Sequence, residues 1–313
     1  MFCFLNYFTL QILTVNFAKV TQPYPEEPSR EAVVRWGSRT TDILAKLHES
    51  VPKCGIELLP WVQLYREDRP IPWWSSATRG FRVGFYGNEH AHLMEEFPGT
   101  HSFQGFVADM PVYLRWLQAL VVDRGARLVH YKAESLASVI SLNQCQQAKV
   151  LFNCTALGSL ALSEVHDENL YGLRGQTIEL TRPPELNFGM EDAHFVGPNE
   201  EECVYIIPRH ATCIVGGTFN VHCTSEVDED ATERILQRAS KLVPSLRKST
   251  VVKIHVGIRP KRHGGPRVEL VENLLRIPVV HNYGHGGSGL TLSWGTALES
   301  SQLAQKFLPK ASL

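Results

Sequence analysis

Two stretches of this 313-residue chain carry residue types at spacings that could do chemistry. The first is VVHNYGHGGSGLTLSWGTALES, residues 279–300, where Gly284, Gly286 and Gly289 fit G-x-G-x-x-G between an extended run and a helical one. That pattern normally opens a βαβ unit that binds a dinucleotide, with an acidic residue about 20 positions on for the ribose. Only residues 290–313 follow Gly289, too few for the second strand. Another use fits better. Glycines let a ligand lie against bare backbone. The first turn of the next helix offers unpaired N–H groups and the positive end of its dipole. A group that gains negative charge, such as the N1/C2=O edge of a reduced flavin, is stabilised there. Spacing alone leaves a ligand-free strand-to-helix turn equally open.

The second stretch is GIRPKRHGGPRVE, residues 257–269, where Arg259, Lys261, Arg262, His263 and Arg267 cluster. A guanidinium is always charged and can grip a carboxylate through two parallel hydrogen bonds. The cluster therefore points to a small anionic ligand. Taken alone, a strand arginine is more often half of a structural ion pair, and Lys261, Arg262 and Arg267 read as a solvated basic face. His281 and His285 lack metal-ligand spacing with any nearby carboxylate, so no metal is expected. The seven cysteines include no Cys-x-x-Cys pair. Cys154 and Cys213 sit in apolar runs and are expected in the core, and a reducing compartment fits.

Composition narrows the class. Apolar residues make up 43% and charged residues 20%, with a net charge of -1, which suits a globular protein with a substantial core. Nothing in it favours nucleic acid or an anionic membrane as partner. The first 20 residues are uncharged until Lys19. No positive region precedes them and polar residues interrupt them, so a signal peptide or a membrane span is not expected.

Several elements must position these stretches. A helix is expected over 31–50, with Val34, Leu44 and Leu47 on its apolar side. Residues 56–65 read as a strand, and 66–100 as long loops with short strands. Asp109 should cap a helix with Pro111 in its first turn, lined on one face by Leu114, Leu117, Leu120 and Val121 and ended by Gly125. RLVHY (127–131) should be a strand, and AKVLFNC (148–154) a strand buried on both faces. QTIEL, CVYIIP and TCIVGG suggest an antiparallel sheet. A helix from Asp228 to Leu242 stops before Pro244, strands return at VVKIHV, RVEL and RIPVVH, and the closing helix should be amphipathic through Trp294, Leu298, Leu303 and Phe307.

In this order the motifs become recognisable. VHNYGHGGSGLTLSWGTALE resembles the C-terminal flavin-contacting stretch of the D-amino-acid and D-aspartate oxidases. GIRPKRHGGPRVE is similar to their substrate-arginine strand, and YIIPRHATCIVGGT (205–218) to the strand that supplies the substrate tyrosine. LRGQTIEL (173–180) and VLFNCTALGS (150–159) match two further family stretches. The resemblance covers roughly residues 30–310.

The resemblance implies a fold and a site. The fold is α/β, mixed with α+β. An incomplete Rossmann-like FAD-binding domain (29–52, 105–165 and 252–313) is interleaved with an antiparallel-sheet substrate domain (53–104 and 166–251), after an atypical segment 1–28. Arg259 is implied to bind the substrate carboxylate, Tyr205 to share that task, and the Gly287 carbonyl to face the substrate amine. Gly286, Gly287, Ser288, Gly289, Leu290 and Thr291 are implied to lie against the isoalloxazine, and Ala133 to contact the adenosine half of FAD. The implied reaction is oxidation of a D-amino acid, with oxygen as the second substrate and hydrogen peroxide as a product. A homodimer is compatible with it.

The sequence also departs from the family. Members open with a strand, a glycine-rich turn and a helix for the FAD pyrophosphate, whereas residues 1–28 contain no glycine. A truncated or mis-started chain is therefore expected, and a non-catalytic remnant without flavin is an alternative reading. Glu201 stands where animal members have a lid tyrosine. For a D-aspartate oxidase, Arg209 or Lys261 would be the second cation. The final Ala311-Ser312-Leu313 lacks the basic centre of Ser-Lys-Leu, which leaves peroxisome or cytoplasm open.

Overall fold

Val33, Trp36, Gly37, Thr40, Thr41, Leu44 and Ala45 recur at helical spacing, and all are buried along one stripe of helix α1, Arg30–Ser50. The computed structural model describes residues 2–3, 14–15, 30–85, 91–195, 201–221 and 224–308; at 2–3, 14–15, 91–92, 193–195 and 201–203 it describes the backbone alone. The strands are β1 (Phe2–Cys3), β2 (Thr14–Val15), β3 (Ile56–Leu64), β4 (Arg79–Val83), β5 (His101–Ala108), β6 (Arg127–Leu128), β7 (Leu151–Asn153), β8 (Leu170–Thr181), β9 (Gly189–Phe195), β10 (Glu201–Pro208), β11 (Thr212–Gly216), β12 (Val251–Arg262), β13 (Arg267–Val271) and β14 (Val279–Tyr283). The remaining helices are α2 (Ala91–Met94), α3 (Met110–Asp123), α4 (Leu136–Ile140), α5 (Glu229–Leu242) and α6 (Gly289–Ala304).

The mixed α/β fold centres on a nine-stranded sheet of order β12-β8-β11-β10-β9-β3-β5-β2, with β4 also on β5. Its pairs are antiparallel except β3 with β9. Alternation along each strand splits its side chains between two faces. Val204 and Ile206 join Val62, Leu64, Ile178 and Met190 on the face covered by α5. Tyr205 and Ile207 join Trp61, Phe103 and Ile214 on the other face, in a cluster that also takes in Leu290 of α6. Strand pairing crosses the boundaries at 104/105 and 251/252, because β5 and β12 both belong to this sheet. A second sheet of order β13-β14-β7 carries the glycine-rich turn at the end of β14, and β1 pairs in parallel with β6.

Two helices fix that turn. A Cβ on Gly295 would lie 2.1 Å from the Trp36 carbonyl oxygen, so α6 and α1 touch backbone to backbone. Glu299 accepts hydrogen bonds from Trp36 Nε1 at 2.7 Å and Arg35 Nη2 at 2.9 Å.

Several expectations need correction. Asp109 is the N-cap residue of α3, yet its side chain makes no capping hydrogen bond. Leu114 is exposed, and Leu117, Leu120 and Val121 are only partly buried. The reason is that α3 is anchored by its first turn: Met110 and Tyr113 are buried, and Trp294 Nε1 donates to Tyr113 Oη at 2.8 Å. The strand expected over 127–131 is only Arg127–Leu128. The strand expected over 148–154 shrinks to β7, which pairs only with β14 among the described residues, so Phe152 and Cys154 are exposed. In α6 the buried residues are Leu290, Thr291, Leu292, Gly295, Thr296, Ser300 and Ala304, while Leu298 is exposed, because close approach to α1 favours small side chains.

Candidate active site

Arg259 comes from β12, and its guanidinium lies flat across β8 where Gly175 leaves room. A Cβ on Gly175 would sit 2.0 Å from Arg259 Nη1. Nη1 donates to the Thr218 carbonyl at 3.1 Å and Nη2 to Tyr205 Oη at 3.4 Å. The Phe219 ring sits 4.5 Å from Arg259 Cζ, a cation–π contact that holds the group without discharging it. Among the described residues no carboxylate is ion-paired with Arg259. Tyr205 is buried on β10 and leans over β11, where Cβ atoms on Gly216 and Gly217 would lie 3.1 Å from its Cζ and 2.7 Å from its hydroxyl. Three glycines thus open the space in which tyrosine and arginine meet.

The same strand meets the glycine-rich turn. Lys261 bridges to His285, and a Cβ on Gly286 would lie 3.3 Å from Lys261 Cγ. One residue on, Arg262 packs on Gly284, whose Cβ would be 2.8 Å from Arg262 Cβ. Gly284 and Gly286 have φ of +86° and +55°, conformations that favour glycine. Residues 286–288 form a 3-10 turn, and α6 begins at Gly289. The arginine strand and the amino end of the closing helix therefore converge.

Arg262 and Arg267 are not a solvated face. Arg262 Nε donates to Asp167 Oδ2 at 2.8 Å, Tyr283 Oη donates to the same oxygen at 2.8 Å, and Arg267 Nη1 donates to Tyr283 Oη at 2.9 Å. Burial works to raise the Asp167 carboxyl, but these bonds and the Arg262 charge outweigh it and hold it below its ordinary range. Arg209 is not available as a second substrate cation. It is paired with Glu179, which also receives Thr212 Oγ1 at 3.0 Å and lies 2.9 Å from His255 Nε2.

The turn fits a flavin edge. Thr291 Oγ1 is buried without a hydrogen-bond partner, the mark of a group that something else satisfies. A Cβ on Gly289 would meet nothing closer than His285 Cβ at 4.0 Å, so the space in front of it is open. The sixteen-residue α6 starts there with its first amides free of intrahelical partners. Of the sequence-derived set, Arg259, Tyr205 and residues 286–291 come together. Ala133 lies elsewhere, partly buried with Leu136, Leu162 and Val279. The side chain of Glu201, and residues 309–313, lie outside the described residues. Sequence reading missed Phe219 and Gly175. The GGTF and RGQT steps were the signals, but only tertiary contact shows that they cradle Arg259.

Among the described residues no helix is long and apolar enough to cross a membrane. Comparison with known proteins gives the family. A D-amino-acid oxidase of Rubrobacter xylanophilus is 35% identical over 92% of this chain and 83% of its own length. Human D-aspartate oxidase is 27% identical over 92% and 81%. Among solved structures, L-proline dehydrogenase from P. horikoshii aligns with a TM-score of 0.68 at 13% identity, over 93% of this chain and 83% of its own, a likeness of fold. The family model for FAD dependent oxidoreductases, DAO, matches residues 14–303, and the chain belongs to that FAD-dependent oxidoreductase family of enzymes.

Proposed function

We propose that the chain oxidises D-amino acids to 2-oxo acids, with release of ammonia and reduction of oxygen to hydrogen peroxide. The observation that carries this reading is the meeting of Arg259 and Tyr205 Oη at 3.4 Å beside the glycine-rich turn, with no carboxylate of the described chain on the guanidinium. A charged arginine left without a counter-ion in a partly buried site is poised for an anion from outside. An amino-acid carboxylate would take two parallel bonds from Arg259 and a third from Tyr205, which fixes its orientation. The Gly287 carbonyl, on the turn that faces this pair, would then receive the substrate amine. When bound, FAD supplies the two-electron acceptor. Gly286, Gly287, Ser288, Gly289, Leu290 and Thr291 would hold its ring edge, with the helix end favouring negative charge there. Held at both ends, the substrate presents its α C–H in a fixed direction, and such positioning alone removes several kcal/mol from a barrier. No side-chain base is required of the chain.

The likeness to D-aspartate oxidase raises acidic D-amino acids as a second substrate group, but Arg209 is committed to Glu179. The test is peroxide release by the FAD-loaded protein on D- and L-alanine. Peroxide from the D-enantiomer alone, lost in Arg259→Ala, is expected. Equal activity of Arg259→Ala and wild type would sink the assignment.

A further inference from the structure

The two halves of the site stand on different sheets. Arg259 lies on β12, an edge strand of the nine-stranded sheet, and its neighbours Gly175 and Tyr205 lie on β8 and β10 of the same sheet. The glycine-rich turn instead continues β14 of the three-stranded sheet and leads into α6. Among the described residues, strand pairing crosses this seam only at the isolated bridge from Lys261 to His285. The chain itself crosses from β12 to β13 through Gly264 and Gly265, both at φ of +78°. Glycine backbone has wide conformational freedom, so this link alone does little to fix one sheet against the other.

One buried carboxylate spans the seam. The Asp167 side chain is 4% exposed. Its Oδ1 accepts from Asn169 N at 3.2 Å, within its own loop. Its Oδ2 accepts from Arg262 Nε of β12 and from Tyr283 Oη of β14, each at 2.8 Å. Both partners adjoin the site: Arg262 follows Lys261 on the Arg259 strand, and Tyr283 directly precedes Gly284. Burial pushes the Tyr283 hydroxyl up to about 12, so it remains a donor at neutral pH. The loop that delivers the carboxylate is itself held, with Asp167 N donating to the Ser159 carbonyl at 3.3 Å and His166 N to the Leu162 carbonyl at 2.9 Å. His166 has φ of +37°, a conformation that costs free energy for a residue with a side chain and that persists only where the surroundings impose it.

Resting on the reading of Arg259 and the glycine-rich turn as one site, we propose that Asp167 is a positioning residue, whose carboxylate ties the arginine strand to the turn and so sets how the substrate α C–H meets the flavin ring. Each half keeps its own ligand contacts without this tie. The carboxylate grip is built within the nine-stranded sheet, and the ring edge rests on the turn and α6. What the tie fixes is the offset between them. A misplacement of about 1 Å between reacting groups can cost on the order of 100-fold in rate while leaving binding nearly intact. Loss of Asp167 should therefore slow hydride transfer far more than it weakens either ligand.

The test uses the FAD-loaded full chain of wild type, Asp167→Ala, Tyr283→Phe and the double variant. Asp167→Ala removes the oxygen that both arms share. Tyr283→Phe cuts only the β14 arm and keeps the ring, which covers a poorly folding Asp167 variant. Three quantities are read: the limiting rate of anaerobic flavin reduction by D-alanine, the Kd of propanoate as an unreactive carboxylate from the shift in flavin absorbance, and the Kd of FAD from flavin fluorescence. Asp167→Ala should lower the limiting rate about 30-fold and Tyr283→Phe about fivefold, with both Kd values within about threefold of wild type. The double variant should be within about twofold of Asp167→Ala, because both changes cut the same tie. Limiting rates within twofold of wild type in folded variants, or rates that fall only in step with both affinities, would overturn this inference and leave the parent reading standing. If wild-type flavin is not reduced by D-alanine and Arg259→Ala binds propanoate as wild type does, the parent reading itself fails, and this inference with it.

Discussion

Gly175→Ala separates the site from the fold more cleanly than removal of Arg259. The new Cβ would sit 2.0 Å from Arg259 Nη1 and 2.3 Å from Cζ. That overlap cannot persist, and the guanidinium, at the end of a flexible side chain, must swing off β8. Gly175 lies in regular pairing with Gly257 and shows no positive φ, so alanine strains no backbone. Stability should change little. The displaced guanidinium loses its line to Tyr205 and, with it, the paired grip proposed for the substrate carboxylate. A hydrogen bond to a charged group contributes about 1.5–3 kcal/mol, and a loss of about 2–3 kcal/mol lowers kcat/KM roughly 30- to 150-fold. The assay is steady-state peroxide release on D-alanine beside a thermal melt. Expected is a Tm within about 2 °C of wild type and a loss carried mostly by KM. A wild-type KM in well-folded Gly175→Ala would refute the placement of Arg259 over Gly175 as the substrate grip.

Other consequences follow from the same geometry. Thr291→Val removes a buried, unpartnered hydroxyl and should weaken FAD retention about fivefold, near 1 kcal/mol, read by titration of flavin fluorescence. Gly295→Ala forces a Cβ to 2.1 Å from the Trp36 carbonyl, where backbone must move, and should cost about 1–3 kcal/mol in denaturant unfolding. The His281 ring is pushed down to about 4, chiefly by burial and then by the Arg267 charge. Its neutral form belongs to the fold, so the stability it contributes is present above the ordinary histidine value of about 6.5 and is lost as pH falls toward 4. His281→Asn should flatten the unfolding free energy across that window. Asp167→Asn removes a charge-assisted bond to Arg262 and should lower stability by about 1–3 kcal/mol at neutral pH, with the difference from wild type shrinking in acid because the native carboxyl titrates below its ordinary value.

Much of this was legible in one dimension. The short apolar runs CVYIIP and TCIVGG marked strands that pair as an antiparallel sheet, and Val34, Leu44 and Leu47 marked α1, although its buried stripe runs through Val33, Trp36, Thr40 and Leu44. The glycines of the closing turn and Arg259 were visible because each needs a particular residue type. What was hidden depends on neighbours distant in sequence. Leu114 looked like a core residue because apolar periodicity says which face of a helix is greasy, not whether anything covers it. Cys154 ended an apolar run yet sits beside an edge strand. Arg262 and Arg267 read as solvated because their carboxylate, Asp167, is about a hundred positions away in the chain. Gly175 was one glycine among many until Arg259 crossed it.

On the proposed function, Arg259 and the amino end of α6 serve one substrate. Anaerobic mixing of the FAD-loaded protein with D-alanine, followed as loss of flavin absorbance, tests it in a single turnover. Bleaching by D-alanine but not L-alanine is expected, with Arg259→Ala needing at least 100-fold more substrate for the same rate, since removing a charged pair of bonds costs about 3 kcal/mol or more. Bleaching that ignores the enantiomer, or that survives unchanged in Arg259→Ala, would contradict it.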